Sequence, residues 1–153
     1  MILVECNPDE ALVNFLGIKR EEIIHENGKS GICKKLKSKE NIKGLVDEDP
    51  LSPQPKYIEG LKLIEKNHNI KLLYDNDKHN FLIVLCPRLE EWILKAAKEA
   101  GVDISDYGLP DNGNDLHKVI NFRIGSFKKL LVELKGKSQK LETLERFIKY
   151  DRK

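Results

Sequence analysis

Two aspartates one residue apart, Asp47 and Asp49, follow an apolar run from Ile42 to Val46, and Pro50 comes directly after them. Carboxylates this close repel each other, and a cation relieves the repulsion. Hard oxygen ligands of this kind suit Mg²⁺ or Mn²⁺. In α/β domains ligands bind outside the carboxyl ends of the strands, so a strand ending in Asp-x-Asp delivers two acids to the rim where chemistry is done. The same residues also serve as turn formers and as caps for a following helix, and both uses stay open at this level. Glu5 is a third acid in a comparable place. It ends the short apolar run Ile2–Val4, just ahead of a helix start at Asn7-Pro8-Asp9.

Other residues offer weaker chemistry. Asn27-Gly28-Lys29-Ser30-Gly31 contains a Gly-Lys-Ser triplet, but the glycine that a phosphate-binding loop needs further upstream is missing. What remains is an amide-rich turn in which Lys29 can meet a phosphate oxygen or stay solvated. Glu90 and Glu91 stand where a helix should begin. Acids there favour the helix dipole, and Glu90 is also a candidate fourth metal ligand. Asp9 is a further candidate. Trp92 reads as core, while Asp75 and Asp77 read as turn formers. The four histidines show no metal-ligand spacing, and the three cysteines, Cys6, Cys33 and Cys86, are too widely spaced for a zinc knuckle or a disulfide framework.

Composition sets the frame for this chemistry. The chain has 153 residues, enough for one domain with a real core, and its 27 basic and 25 acidic residues leave a net charge of +2. That balance does not by itself argue for nucleic acid, although lysines gather at Lys34-Lys35, Lys37 and Lys39 and again from Lys128 onward. No stretch approaches the roughly 20 apolar residues of a membrane span. The amino terminus reads as a strand, without the pattern of a signal peptide. A cytoplasmic location with reduced thiols is the expectation.

The elements that must position these residues follow in order. Ile2–Val4 predicts a buried strand, and a helix capped by Asn7 with Pro8 at its first position closes at Gly17. Glu22–His25 predicts a second strand, followed by a helix through Ile32 and Leu36. Ile42–Val46 is the third strand, and a proline-rich loop follows it. Ile58, Leu61 and Ile64 share one helical face and predict a helix over Tyr57–Lys66. Ile70–Tyr74 and Phe81–Cys86 are joined by a short polar turn, so they predict an antiparallel hairpin. A helix begins after Pro87 and ends near Gly101. Residues 102–114 read as a long polar loop. Asp115 to Leu134 reads as helical, with Gly125 as a break, and a last amphipathic helix carries Leu141, Leu144, Phe147 and Ile148.

In this order of elements the chain resembles the Toprim domain, the metal-binding α/β module shared by topoisomerases, primases and nucleases of the overcoming-lysogenization-defect type. Val4-Glu5-Cys6-Asn7-Pro8-Asp9 is similar to its first motif, a glutamate after the first strand. Gly44-Leu45-Val46-Asp47-Glu48-Asp49 is similar to its second, an Asp-x-Asp after the third. The Gly-Lys-Ser turn and Leu89-Glu90-Glu91-Trp92-Ile93-Leu94 resemble features of small stand-alone Toprim-like proteins. Cys6 departs from the motif, which has glycine there. The resemblance covers Met1 to about Leu94.

The resemblance implies a Rossmann-like, mostly parallel sheet flanked by helices, with an antiparallel edge hairpin and a helical extension over about 115–150, all in one domain. It implies a Mg²⁺ or Mn²⁺ site built from Glu5, Asp47, Asp49 and Glu90, with Glu5, Asp47 and Asp49 as the catalytic set. The implied activity is that of a metal-dependent nuclease on DNA or RNA. A catalytically inactive Toprim-like module that binds a protein partner or a second copy is the alternative. A haloacid-dehalogenase-like phosphotransferase also uses a strand-end Asp-x-Asp, but that family carries the motif on its first core strand.

Overall fold

The computed structural model describes residues 1–151. Strands β1 (Ile2–Val4), β2 (Ile23–His25), β3 (Lys43–Asp47), β4 (Lys62–Asn67), β5 (Ile70–Asp75) and β6 (Asn80–Leu85) form one sheet in the order β2-β1-β3-β6-β5-β4. The first four in that order run parallel, and β5 and β4 are antiparallel additions at one edge. Helices α1 (Asn7–Phe15) and α2 (Gly28–Ser38) form the parallel crossovers. α3 (Lys56–Glu59) is a single turn, α4 (Leu89–Glu99) follows β6, and α5 (Gly113–Val119), α6 (Ile124–Leu134) and α7 (Gln139–Ile148) close the chain. The α/β architecture expected from the sequence is the one observed.

The two faces of the sheet are sorted by strand alternation. Leu45, Ile83, Leu85, Ile70 and Leu72 point to the face covered by α1, α4, α6 and α7. Leu3, Val46, Leu73, Leu82 and Val84 point to the other, covered by α2 and α3. The carboxy-terminal helices therefore cover a sheet face. Lys43 fastens the end of α7, donating from Nζ to the carbonyls of Ile148 at 2.5 Å and Tyr150 at 2.6 Å. Gly44 lets α2 approach β3: a Cβ there would lie 2.8 Å from Ile32 Cγ2 and 3.2 Å from Leu82 Cδ1. Trp92 is core, 1% exposed, with its indole N–H donated to the His68 carbonyl. No helix among the described residues is long and apolar enough to cross a membrane.

Several expected elements differ. The helix predicted over Tyr57–Lys66 is replaced by α3 and the edge strand β4, whose pairing with β5 slips at Leu63/Glu65. Cys6, rather than Asn7, precedes α1, and no side chain caps it. The helical region after Asp115 is broken at the 3-10 turn Ile120–Phe122 and Arg123, before Gly125 is reached. The polar loop 102–114 contains a 3-10 turn at Ile104–Tyr107 and the start of α5.

Asn80, 1% exposed, ties the strand edge together. Its amide donates to the carbonyls of Leu36 and Lys39, both at 2.7 Å, and its oxygen accepts from Ile42 N–H at 2.9 Å. Asn80→Ala orphans three backbone groups, so a denaturant midpoint corresponding to a loss of about 2–4 kcal/mol is expected, since each unsatisfied buried group costs about 1–3 kcal/mol.

Candidate active site

The chain leaves β1 for β2 on one side and returns to β3 on the other, so the strand order reverses between β1 and β3. Crevices at such switch points are where open α/β sheets bind ligands. Glu5 follows β1 and Asp47 is the last residue of β3, which brings both carboxylates to that crevice. Two more acids arrive on helices. Asp9 lies in the first turn of α1 and Glu90 in the first turn of α4, where acids complement the helix dipole. Both are buried, at 6% and 5% exposure. Glu5, Asp9, Asp47 and Glu90 line one cavity of about 200 Å³, with Cys6, Pro8, Gly28, Leu89, His117, Ile120 and Asn121 completing its wall.

The cavity is held by backbone chemistry at the strand ends. Asp47 Oδ1 accepts from Leu89 N–H at 2.9 Å, so a strand-end carboxylate satisfies an amide that α4 leaves open at its start. Glu48 N–H donates to the Leu85 carbonyl and Asp49 N–H to the Pro87 carbonyl, both at 2.8 Å, which locks the loop after β3 to the end of β6. Glu90 Oε1 lies 3.3 Å from His117 Nδ1, which ties α4 to α5 across the cavity mouth. Arg88 grips Glu91 through two contacts of 2.6 Å and reaches Asn114 at 3.1 Å, reinforcing the same junction.

Burial of several acids in one place opposes their ionisation. Burial pushes the Asp47 carboxyl up to about 8, with the charges of Asp9, Glu90 and Glu5 adding to the rise and the Leu89 amide opposing it. Burial likewise lifts Asp9 to about 7. The Cys6 thiol donates to it and opposes the rise, while Glu5 and Glu90 add to it. Glu5 is raised by burial, partly offset by Lys29. The Cys6 thiol is pushed far up by burial and by Asp9, so it is a proton donor to Asp9 and no nucleophile.

The sequence-predicted set is therefore brought together in part. Glu5, Asp47 and Glu90 share the cavity, and Asp9 joins them. Asp49 does not line it. Its backbone takes a left-handed conformation with φ of 45°, and its Oδ2 accepts from the Ser52 hydroxyl at 2.9 Å. Lys29, which the sequence leaves either to meet a phosphate oxygen or to stay solvated, donates to the Glu48 carbonyl at 2.7 Å and Gln54 Oε1 at 2.9 Å, fastening the loop that carries Asp49. His117 was not legible as a site residue, because it sits 27 positions from its partner Glu90 and no spacing signal connects them. Asp75 does form a turn, accepting from the N–H groups of Asp77 and Lys78.

Among the described residues, no three His, Cys, Asp or Glu side chains are grouped as a bound metal would group them. The acids surround a shared space rather than meet at a point. Their chemistry nonetheless fits a hard divalent cation: the titratable donors on the wall are mainly carboxylate oxygens, and burial, with the charges of the neighbouring acids added, holds two of them well above their ordinary range. No protein-family model, no curated protein and no solved structure matches this chain.

Proposed function

We propose that the chain is a Toprim-like, metal-dependent phosphodiester hydrolase acting on nucleic acid. The observation that carries this reading is the convergence of four carboxylates, Glu5, Asp9, Asp47 and Glu90, on one small cavity at the switch point of the sheet. Buried acids this close are costly unless something neutralises them. Mg²⁺ or Mn²⁺ held by Glu5, Asp47 and Glu90, with Asp9 behind them, would relieve that cost. When bound, such an ion polarises a phosphate and offsets the charge that develops on its oxygens. The chain's own residues do the rest. Asp47 is fixed by Leu89 N–H. Glu5, near Lys29 at the end of β1, is either a ligand of that ion or, in its place, the group that exchanges a proton with an attacking water. His117 stands at the mouth beside Glu90.

One observation favours a second reading, an inactive Toprim-like partner module. Asp49 is engaged by Ser52 and stands outside the cavity, so the Asp-x-Asp pair does not act as a pair. The phosphotransferase reading is weakened by topology, because that family carries its Asp-x-Asp on the first core strand, whereas here two strand–helix units precede β3.

The test is cleavage of labelled single- and double-stranded DNA and RNA with and without Mg²⁺ or Mn²⁺. Metal-dependent cleavage that disappears in Asp47→Asn supports the proposal. No cleavage of any of these substrates, with binding retained, supports the partner module. A stable phospho-protein formed from a phosphomonoester would replace both with the phosphotransferase.

A further inference from the structure

The acid cavity alone is hostile to a polyanion. A nucleic-acid strand entering it needs cations beyond any held by the carboxylates, and the structure offers them in one direction. α2 and the residue after it carry Lys29, Lys34, Lys35, Lys37 and Lys39 with no acid between them, in a chain whose 27 basic and 25 acidic residues nearly balance. Helical spacing buries Ile32, Cys33 and Leu36 against the sheet and turns Lys34, Lys35, Ser38 and Lys39 outward. These residues, with Glu26, Asn27, Ser30 and Gly31, line an open groove of about 550 Å³, three lysines against one acid.

Some exposed basic residues elsewhere in the fold have an acidic partner, Lys137 in Glu133, Lys149 in Glu145 and Arg146 in Glu65, while Lys129 and Lys135 of α6 and its end have none among the described residues. What sets the groove apart is the number of lysines gathered on one helix face. Lys35 lies 3.8 Å from Glu26, and Lys34 and Lys39 have no acidic partner among the described residues. The groove and the acid cavity lie next to each other in the chain at the start of α2. Gly28, the first residue of α2, lines the acid cavity, and its neighbours Asn27 and Ser30 line the groove.

We propose that the outer face of α2 is a track for the sugar–phosphate backbone of a nucleic-acid strand, which Lys34, Lys35 and Lys39 lead to the acid cavity. This rests on the nucleic-acid reading above and deepens it: the substrate is a polymer held along its backbone, not a small phosphate ester. Contacts of this kind position a strand without reading its sequence.

The experiment separates binding from catalysis. Fluorescence anisotropy of a labelled single strand and a labelled duplex, in EDTA, is measured against salt for the native chain, for Lys34→Ala/Lys35→Ala/Lys39→Ala, and for a charge-matched control, Lys128→Ala/Lys129→Ala/Lys135→Ala, on α6 and its end. Melting curves establish that each variant is folded. The α2 variant is expected to bind at least about tenfold more weakly at low salt, and its salt slope should flatten by about two, since each phosphate contact contributes about 0.7–0.9 to the slope. The control should bind like the native chain. Unchanged affinity and slope in the α2 variant, equal losses in both variants, tighter binding to anionic vesicles than to nucleic acid, or no binding by the native chain would each overturn the track. Because no metal is present, these results stand apart from whether the acid cavity cleaves anything.

Discussion

Asp47→Asn is expected to make the protein more stable and, in the same stroke, unable to cleave a phosphodiester. The reason is linkage. The Asp47 carboxyl is pushed up to about 8 and Asp9 to about 7 in the folded chain, whereas an unfolded aspartate titrates near 4. Between those values the folded state holds more protons than the unfolded one, so stability falls as pH rises. The contribution is fully present below about pH 4 and is lost as pH passes through about 7 to 8. Asparagine keeps the Oδ1 acceptor for Leu89 N–H and removes the buried charge. Each pKa unit corresponds to about 1.4 kcal/mol, so a gain of about 2–4 kcal/mol near pH 8 is expected, and it should shrink toward zero near pH 4. Denaturant titrations across that range measure it. Under the metal-dependent reading cleavage should fall at least about a hundredfold, because even outer-shell partners of a metal cost about 10–100-fold. A variant that is destabilised at every pH would show that Asp47 is a structural cap and nothing more.

The second large effect separates Glu90 from Asp49. Sequence spacing alone pairs Asp49 with Asp47, but the structure places Glu90 on the cavity wall and leaves Asp49 bonded to Ser52. Glu90→Gln is therefore expected to weaken Mn²⁺ binding and Mn²⁺-dependent cleavage at least about tenfold. Asp49→Asn should cost at least about tenfold less than Asp47→Asn in the same assays, because it removes an acid that acts on the cavity only through its charge on Glu5. Equal losses for Asp47→Asn and Asp49→Asn would mean that the loop after β3 rearranges to bring both acids of the pair onto the ion.

The parallel half of this fold was legible because β1, β3 and β6 are buried on both faces and read as short apolar runs, and the edge strand β2 keeps Ile23 in the core. β1, β2 and β3 fall within about two residues of where the sequence places them. β4 was not legible. It is an edge strand with Leu63 exposed, and its bulge breaks the alternation that marks a strand, so Ile58, Leu61 and Ile64 mimic a helical face instead. The turn that joins β4 to β5 uses His68 and Asn69, both at positive φ, without the Asn-Gly signal such turns usually show.

The site was legible to the extent that strand ends announce it. Glu5 and Asp47 follow from their places after apolar runs, and Glu90 from its place at a helix start. The separation of Asp49 from Asp47 was hidden, because it depends on a left-handed backbone at Asp49 and on hydrogen bonds from Ser52, Gln54 and Lys29. The contribution of His117 was hidden as well, since tertiary packing alone carries α5 to the cavity mouth.

The most direct measurement is a calorimetric titration of the native chain with Mn²⁺ near pH 7, repeated in buffers of different ionisation enthalpy and on Asp47→Asn. The expected result is saturable binding whose heat changes with the buffer, because the cation displaces protons from carboxyls raised to about 7 and 8, and that is lost in the variant. No saturable heat at millimolar Mn²⁺, or binding that survives Asp47→Asn intact, would contradict the assignment of the acid cavity as the metal centre.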